Sequence, residues 1–118
     1  MTDDVFAERL ARVRCRFAST LQGKIDQAAA ELSKLSGVAP AAAAAVGEAY
    51  RCMHGIVGVG PTVGFPETGR IARDVENTLR PAQNDRRGLT DDEISVLKGR
   101  LLDLRAVAMR EMESAVPG

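Results

Sequence analysis

Apolar residues step along this chain by three and four, and strand-like alternation is absent. Four stretches carry the step. The first runs from Asp3 to Leu35, with Leu10, Val13, Phe17, Leu21, Ile25, Ala28, Leu32 and Leu35 on one helical face. Thr2 stands where a cap is needed, Ser36-Gly37 supplies a stop, and Gly23 marks a place for a bend or split. The second begins near Pro40, a favoured first-turn residue, and passes through Ala41–Ala45 to about Val63. Its alanine run is low in complexity but strongly helical by propensity, so it reads as helix and not as linker. Pro61 lacks a backbone donor and weakens the last turn. The third opens at Pro66-Glu67 after the Gly64-Phe65 break and runs to about Leu79, with Ile71, Val75 and Leu79 as its stripe. Pro81 is expected to end it, and Asn84-Asp85-Arg86-Arg87-Gly88 to form a polar loop. The fourth starts with Thr90-Asp91-Asp92-Glu93, which has capping-box spacing. It continues through Ile94, Leu97, Leu101, Leu104, Ala108 and Met112 and ends before Pro117. Four amphipathic helices with short connections predict an all-α, antiparallel up-down four-helix bundle.

Composition narrows what such a bundle can do. A chain of 118 residues supports one domain, here 1–118, with no room for a substrate domain beside a cofactor domain. Sixteen basic and sixteen acidic residues cancel, and the chain holds no Trp and one Tyr. That leaves neither the charge footprint nor the stacking platform of a nucleic-acid binder. The uncharged stretch within Cys52–Pro66 is too short and glycine-rich to span a bilayer, so no membrane partner is expected. The acidic start Met1-Thr2-Asp3-Asp4 is unlike a secretory signal. Cys15 and Cys52 fall in no metal or redox spacing, and the simplest reading is two reduced thiols in a cytoplasmic protein. One histidine and two scattered cysteines give no zinc motif. The start methionine and acidic N-terminus favour a whole protein over a module cut from a larger one.

The single histidine, His54, heads the run His54-Gly55-Ile56-Val57-Gly58-Val59-Gly60-Pro61-Thr62-Val63-Gly64-Phe65. At about 100° per residue, Ala45, Ala49, Cys52, Ile56, Val59 and Val63 form one stripe, and His54 falls opposite it, facing solvent. Gly47, Tyr50, Arg51, Val57, Gly58 and Pro61 share its face. Gly58, one turn on, costs about 1 kcal/mol against alanine inside a helix. A bare position beside an exposed imidazole leaves space for a phosphoryl group and a docked partner. Two other readings of the glycines stand beside this one. They allow close helix–helix packing, or they form a nucleotide loop, although the lysine of a P-loop and a preceding strand are both missing.

The run from His54 to Phe65, His-x-Ile-x-Gly-x-Gly-x-Thr-x-Gly-Phe, resembles the signature of histidine phosphotransfer (HPt) domains, and most of all those of bacterial chemotaxis kinases. Pro66-Glu67-x-x-Gly69-Arg70-Ile71-Ala72-x-x-Val75-Glu76 resembles that family's next helix. The likeness covers the middle third of the chain; the flanking helices agree in length and pattern only. It implies a four-helix bundle acting as a phosphocarrier in two-component phosphorelays, without an ATP-binding site of its own. His54 would take a phosphoryl group from a receiver-domain aspartate or a histidine kinase and pass it to another response-regulator receiver domain. Gly58 maps to the family's access glycine, and Glu76 to a glutamate that hydrogen-bonds the histidine ring. No cofactor is implied for this chain; a divalent ion is expected on the partner receiver.

One departure stands out. The family usually has a lysine three residues after its histidine, where this chain has Val57. Charge on the equatorial oxygens of a transferring phosphoryl group favours a nearby cation. Arg51, one turn before His54, and Arg73, on the next helix, are the candidates to replace it, each being otherwise an ordinary solvated arginine. Glu76 likewise has an ordinary alternative, a salt bridge with Arg73 or Arg80 on its own helix. Besides the phosphocarrier, two readings remain open: a non-catalytic helical adaptor that binds receivers without carrying phosphate, and a plain bundle that dimerises through its glycine face.

Overall fold

The computed structural model describes residues 2–115. They form four helices, α1 (Thr2–Ala30), α2 (Pro40–Val59), α3 (Pro66–Asp85) and α4 (Asp91–Ala115), with 3₁₀ turns at Leu32–Leu35 and Gly60–Val63. No strand occurs among the described residues; one isolated bridge joins Ser36 to Leu89. The protein is an all-α four-helix bundle, and paired residues fix its antiparallel sense. Along the α2–α3 seam His54 meets Glu76, and Gly47 sits against Gln83. Across α3 and α4, Asp74 pairs with Arg100 and Thr68 with Glu111.

The core lies between α2, α3 and α4, with the middle of α1 laid over it. Val46, Met53 and Ile56 of α2, Val75 and Leu79 of α3, and Leu97 and Leu104 of α4 are sealed, as is Phe65 between α2 and α3. Phe65 packs at a tilt against Phe17 of α1, ring centroids 5.1 Å apart and planes 54° from parallel. Leu21 and Ile25 carry α1 into the same core.

Several boundaries differ from the sequence pattern, each for a physical reason. Gly23 neither bends nor splits α1; it is exposed, with open space where a side chain would stand. The helix ends at Ala30, and Leu32–Leu35 tighten into a 3₁₀ turn that buries Leu35. Gly37, at φ +107°, then supplies the left-handed stop. α1 already includes Thr2, so its cap lies outside the described residues, as does Pro117 beyond α4. Val13, assigned to the core stripe, is 46% exposed. Asp26 pairs with Arg105, so α4 reaches Ala115 roughly level with residue 16 of α1, and no described helix lies beside the first three turns.

The largest correction concerns Pro81. It does not end α3, which continues to Asp85. Its missing N–H frees the carbonyl of Asn77, but Asn77 and Pro81 are both exposed, so that oxygen is on the side of the helix open to solvent. Leu79 and Ala82, both buried, hold the turn to the core. The helix closes at Arg86, left-handed at φ 53°, whose N–H reaches the carbonyls of Ala82 and Gln83. Asn84 and Asp85 therefore belong to the helix, and Gly88 of the expected polar loop is buried. A side chain at Gly88 would drive into the Leu35 carbonyl at 2.9 Å. The capping box opens α4 as expected: Glu93 N–H donates to Thr90 Oγ1 (3.2 Å) and Thr90 N–H to Glu93 Oε1 (2.9 Å).

Candidate functional site

α2 enters its seam rotated from the pattern read in the sequence. Its buried residues are Ala42, Val46, Gly47, Met53 and Ile56. Ala45, Ala49 and Cys52 are half-buried, and Val59 is 46% exposed. The packed stripe is thus turned by about 60° toward the Tyr50–Val57 side. That rotation moves His54 from the back of the helix to its shoulder, beside α3. An imidazole diametrically opposite the core could not reach a buried group on a neighbouring helix. From the shoulder it does so while keeping its side chain 72% exposed.

The group it reaches is Glu76. Glu76 Oε2 lies 2.7 Å from His54 Nδ1, and the Glu76 side chain is 3% exposed. A carboxylate can only accept, so Nδ1 carries a proton, and in the neutral ring Nε2 keeps its lone pair. Tyr50, half-buried one turn earlier, stacks nearly parallel on the imidazole, with centroids 6.3 Å apart and 10° between planes. Hydrogen bond and stacking together fix the ring plane and direct Nε2 outward. Side chains added at Gly55 or Gly58 would meet nothing within 4 Å, so the backbone beside the ring is bare.

The other carboxylate oxygen is also engaged. Arg80 Nη2 donates to Glu76 Oε1 at 3.0 Å. Of the two arginines considered as ordinary partners for Glu76, Arg80 makes the bond, and it does so alongside His54. The row Arg80–Glu76–His54 was not assembled from the sequence, though the i,i+4 spacing of Glu76 and Arg80 was the available signal.

The proposed substitute cations fare differently. Arg51 points away: its guanidinium lies 3.6 Å from where a Gly47 side chain would stand, near Gln83. That is about 10 Å back along the helix from His54. Arg73 is exposed, one turn before Glu76 on the same face of α3, and makes no ion pair among the described residues. Val57, where a lysine was looked for, is half-buried against the core.

Other chemistry is sparse. Cys15 is exposed and Cys52 half-buried, both free, and burial pushes the Cys52 thiol up and away from thiolate. Among the described residues no three His, Cys, Asp or Glu side chains gather as a metal site, and no helix is long and apolar enough to cross a membrane. A second inter-helix carboxylate sits at the start of α3. Glu111 Oε1 accepts from Thr68 N–H (2.5 Å) and Thr68 Oγ1 (2.6 Å), and Oε2 from Glu67 N–H (3.1 Å). It takes up the free donors of that helix end in place of a local cap. Nearby, Arg14 Nε donates to the Val63 carbonyl at 2.9 Å and packs over Gly64, whose φ of +93° turns the chain into α3.

Comparison with known protein families, with characterised proteins and with solved structures gives no match to this chain.

Proposed function

We propose that this protein is a histidine phosphocarrier of a two-component phosphorelay, with His54 as the phosphoryl acceptor. The observation that carries the reading is the pairing of a 72% exposed imidazole with a buried carboxylate, 2.7 Å from Nδ1. Exposure alone describes most surface histidines. A buried carboxylate aimed at one ring nitrogen fixes a tautomer, and the remaining lone pair then faces water. The motif resemblance to HPt domains supports the same assignment, and Gly58 gives the incoming group room.

The chemistry balances without a cofactor on this chain. Nε2 of His54 attacks the phosphorus of a receiver's aspartyl phosphate in line. The N–P bond forms as the acyl P–O bond breaks, and the electron pair leaves with the aspartate carboxylate. Positive charge that develops on the ring is met by Glu76 through the Nδ1 proton. The receiver brings its own divalent ion and lysine, as the resemblance implies. Return of the phosphoryl group to a second receiver reverses the step. Tyr50, Val57 and Pro61, on the His54 side of the helix, supply an apolar margin for a receiver helix.

The test is phosphotransfer from phosphorylated receiver domains. The wild type is expected to take acid-labile, base-stable label, and His54→Gln none. A second reading, a receiver-binding adaptor that carries no phosphate, draws on Val57: no cation follows His54 by three residues, and Arg51 turns away. Tight receiver binding with no label on the wild type selects it.

A further inference from the structure

We propose that Arg80 is a positioning residue for His54, acting through Glu76 to hold the imidazole in the tautomer that presents Nε2. The inference rests on the phosphocarrier reading for its functional meaning, and on geometry for the rest.

Glu76 is nearly sealed, and its two oxygens are divided between two partners. Oε2 takes the His54 N–H and Oε1 takes the Arg80 guanidinium. A neutral imidazole offers one N–H and no full charge. A carboxylate removed from water needs a countercharge, and among the described residues Arg80 is the only arginine or lysine bonded to it. Orientation follows from the same contact. A carboxylate held at one oxygen still turns about its last side-chain torsion, which is soft. Tied at both oxygens, it has one plane. Oε2 then stays an acceptor aimed at Nδ1, and the proton stays on that nitrogen.

Placement makes the role testable. Arg80 is one turn beyond Glu76 on α3, and its side chain is 47% exposed. It can be replaced without opening the core. It bonds to Glu76 and makes no hydrogen bond to His54, so its effect on the ring passes through the carboxylate. Arg73 flanks Glu76 on the other side and makes no such bond.

The experiment compares wild type, Arg80→Met and Arg80→Lys by nitrogen NMR of the labelled His54 ring, together with transfer kinetics from a phosphorylated receiver. In the wild type the Nδ1–H tautomer is expected to dominate. Arg80→Met should shift the populations toward those of free imidazole. It should also lower the transfer rate at saturating receiver roughly tenfold, with little change in the half-saturating concentration. Arg80→Lys, which keeps the charge but loses the planar fork, should restore part of both effects. Wild-type tautomer populations in Arg80→Met, whatever the kinetics, overturn the proposal. A wild type that takes no label, but whose tautomer responds to Arg80→Met, removes the phosphocarrier reading and leaves the positioning role standing.

Discussion

Glu76 and Glu111 are both carboxylates that tie α3 to another helix, and they do opposite things. Glu111 reaches in from α4 and commits both oxygens to the start of α3: two backbone N–H groups and the Thr68 hydroxyl. Nothing it holds has a further atom to offer, and Thr68 itself is buried. Glu76 reaches out from α3 to an imidazole, a partner with a second nitrogen on the far side of the ring. Fixing Nδ1 therefore decides what Nε2 can do in water. The same bond chemistry fastens the fold at one end of α3 and, in the middle, orients an exposed ring, the one proposed above to accept a phosphoryl group. What separates them is the partner: a backbone donor ends the chain of consequences, and a two-ended ring extends it.

Exchanging both carboxylates for neutral groups should break the comparison open. Glu76→Gln keeps shape but gives Oε2's place an amide that can donate. A donor facing Nδ1 favours the opposite tautomer, with the proton on Nε2 and no lone pair for phosphorus. On the proposed function, transfer should fall roughly a hundredfold, with the melting temperature changed far less. Glu111→Ala should do the reverse. It strips the charged acceptor from Glu67 and Thr68 N–H and costs about 2 kcal/mol, lowering the melting temperature by several degrees. Transfer per folded molecule should stay near wild type. Calorimetry and transfer kinetics on both variants decide it. If Glu111→Ala slows transfer as much as Glu76→Gln, the division between fastening and preparing is wrong.

The bundle was legible in the sequence because each helix repeats its apolar signal many times. The capping box at Thr90 and Glu93 was legible because one local spacing suffices to make it. Pro81 was misread because its cost depends on which side of the helix its ring and the freed carbonyl face, and that is settled by packing. The stripe of α2 was misread by about 60° because its alanines and glycines are small enough to fit either a core or a surface. That error mattered, since it set His54 opposite the core and not on the shoulder. The contact of His54 with Glu76 came from a resemblance, not from spacing; 22 residues and an antiparallel turn separate them. Arg80 was visible only as an ordinary helix pair. The Glu111 cap, 43 residues from Thr68, had no local signal at all.

Gly58 sharpens the same contrast at smaller amplitude, because here folding and access pull apart. Its missing side chain faces open space, so Gly58→Ala should stabilise α2 by about 0.5–1 kcal/mol. Gly58→Leu should keep much of that gain while placing bulk one turn from His54, and transfer should drop roughly tenfold. Thermal melts and transfer rates on the two variants test this. Equal transfer in Gly58→Leu and wild type would mean that the phosphoryl donor approaches from another side of the ring.

Glu93 supplies a third carboxylate, local where the other two are tertiary, and it sets the scale for a purely structural one. The Arg87 guanidinium, hydrogen-bonded at 2.7 and 3.1 Å, holds its carboxyl well below the usual range, at about 2 against an ordinary 4.5, with the Thr90 N–H helping. A depressed carboxyl contributes stability above its unfolded value and loses it as pH falls toward the folded one. The capping box should therefore weaken between about pH 4.5 and pH 2 and be unaffected above that window. The Arg87 partner is partly exposed, so solvent screening limits the contribution to about 1 kcal/mol. Subtracting the acid melting curve of Glu93→Gln from that of wild type isolates it. The difference should be present at pH 7 and fade on acidification. A difference that persists undiminished at pH 2 would mean that the cap acts through neutral hydrogen bonds and not through charge.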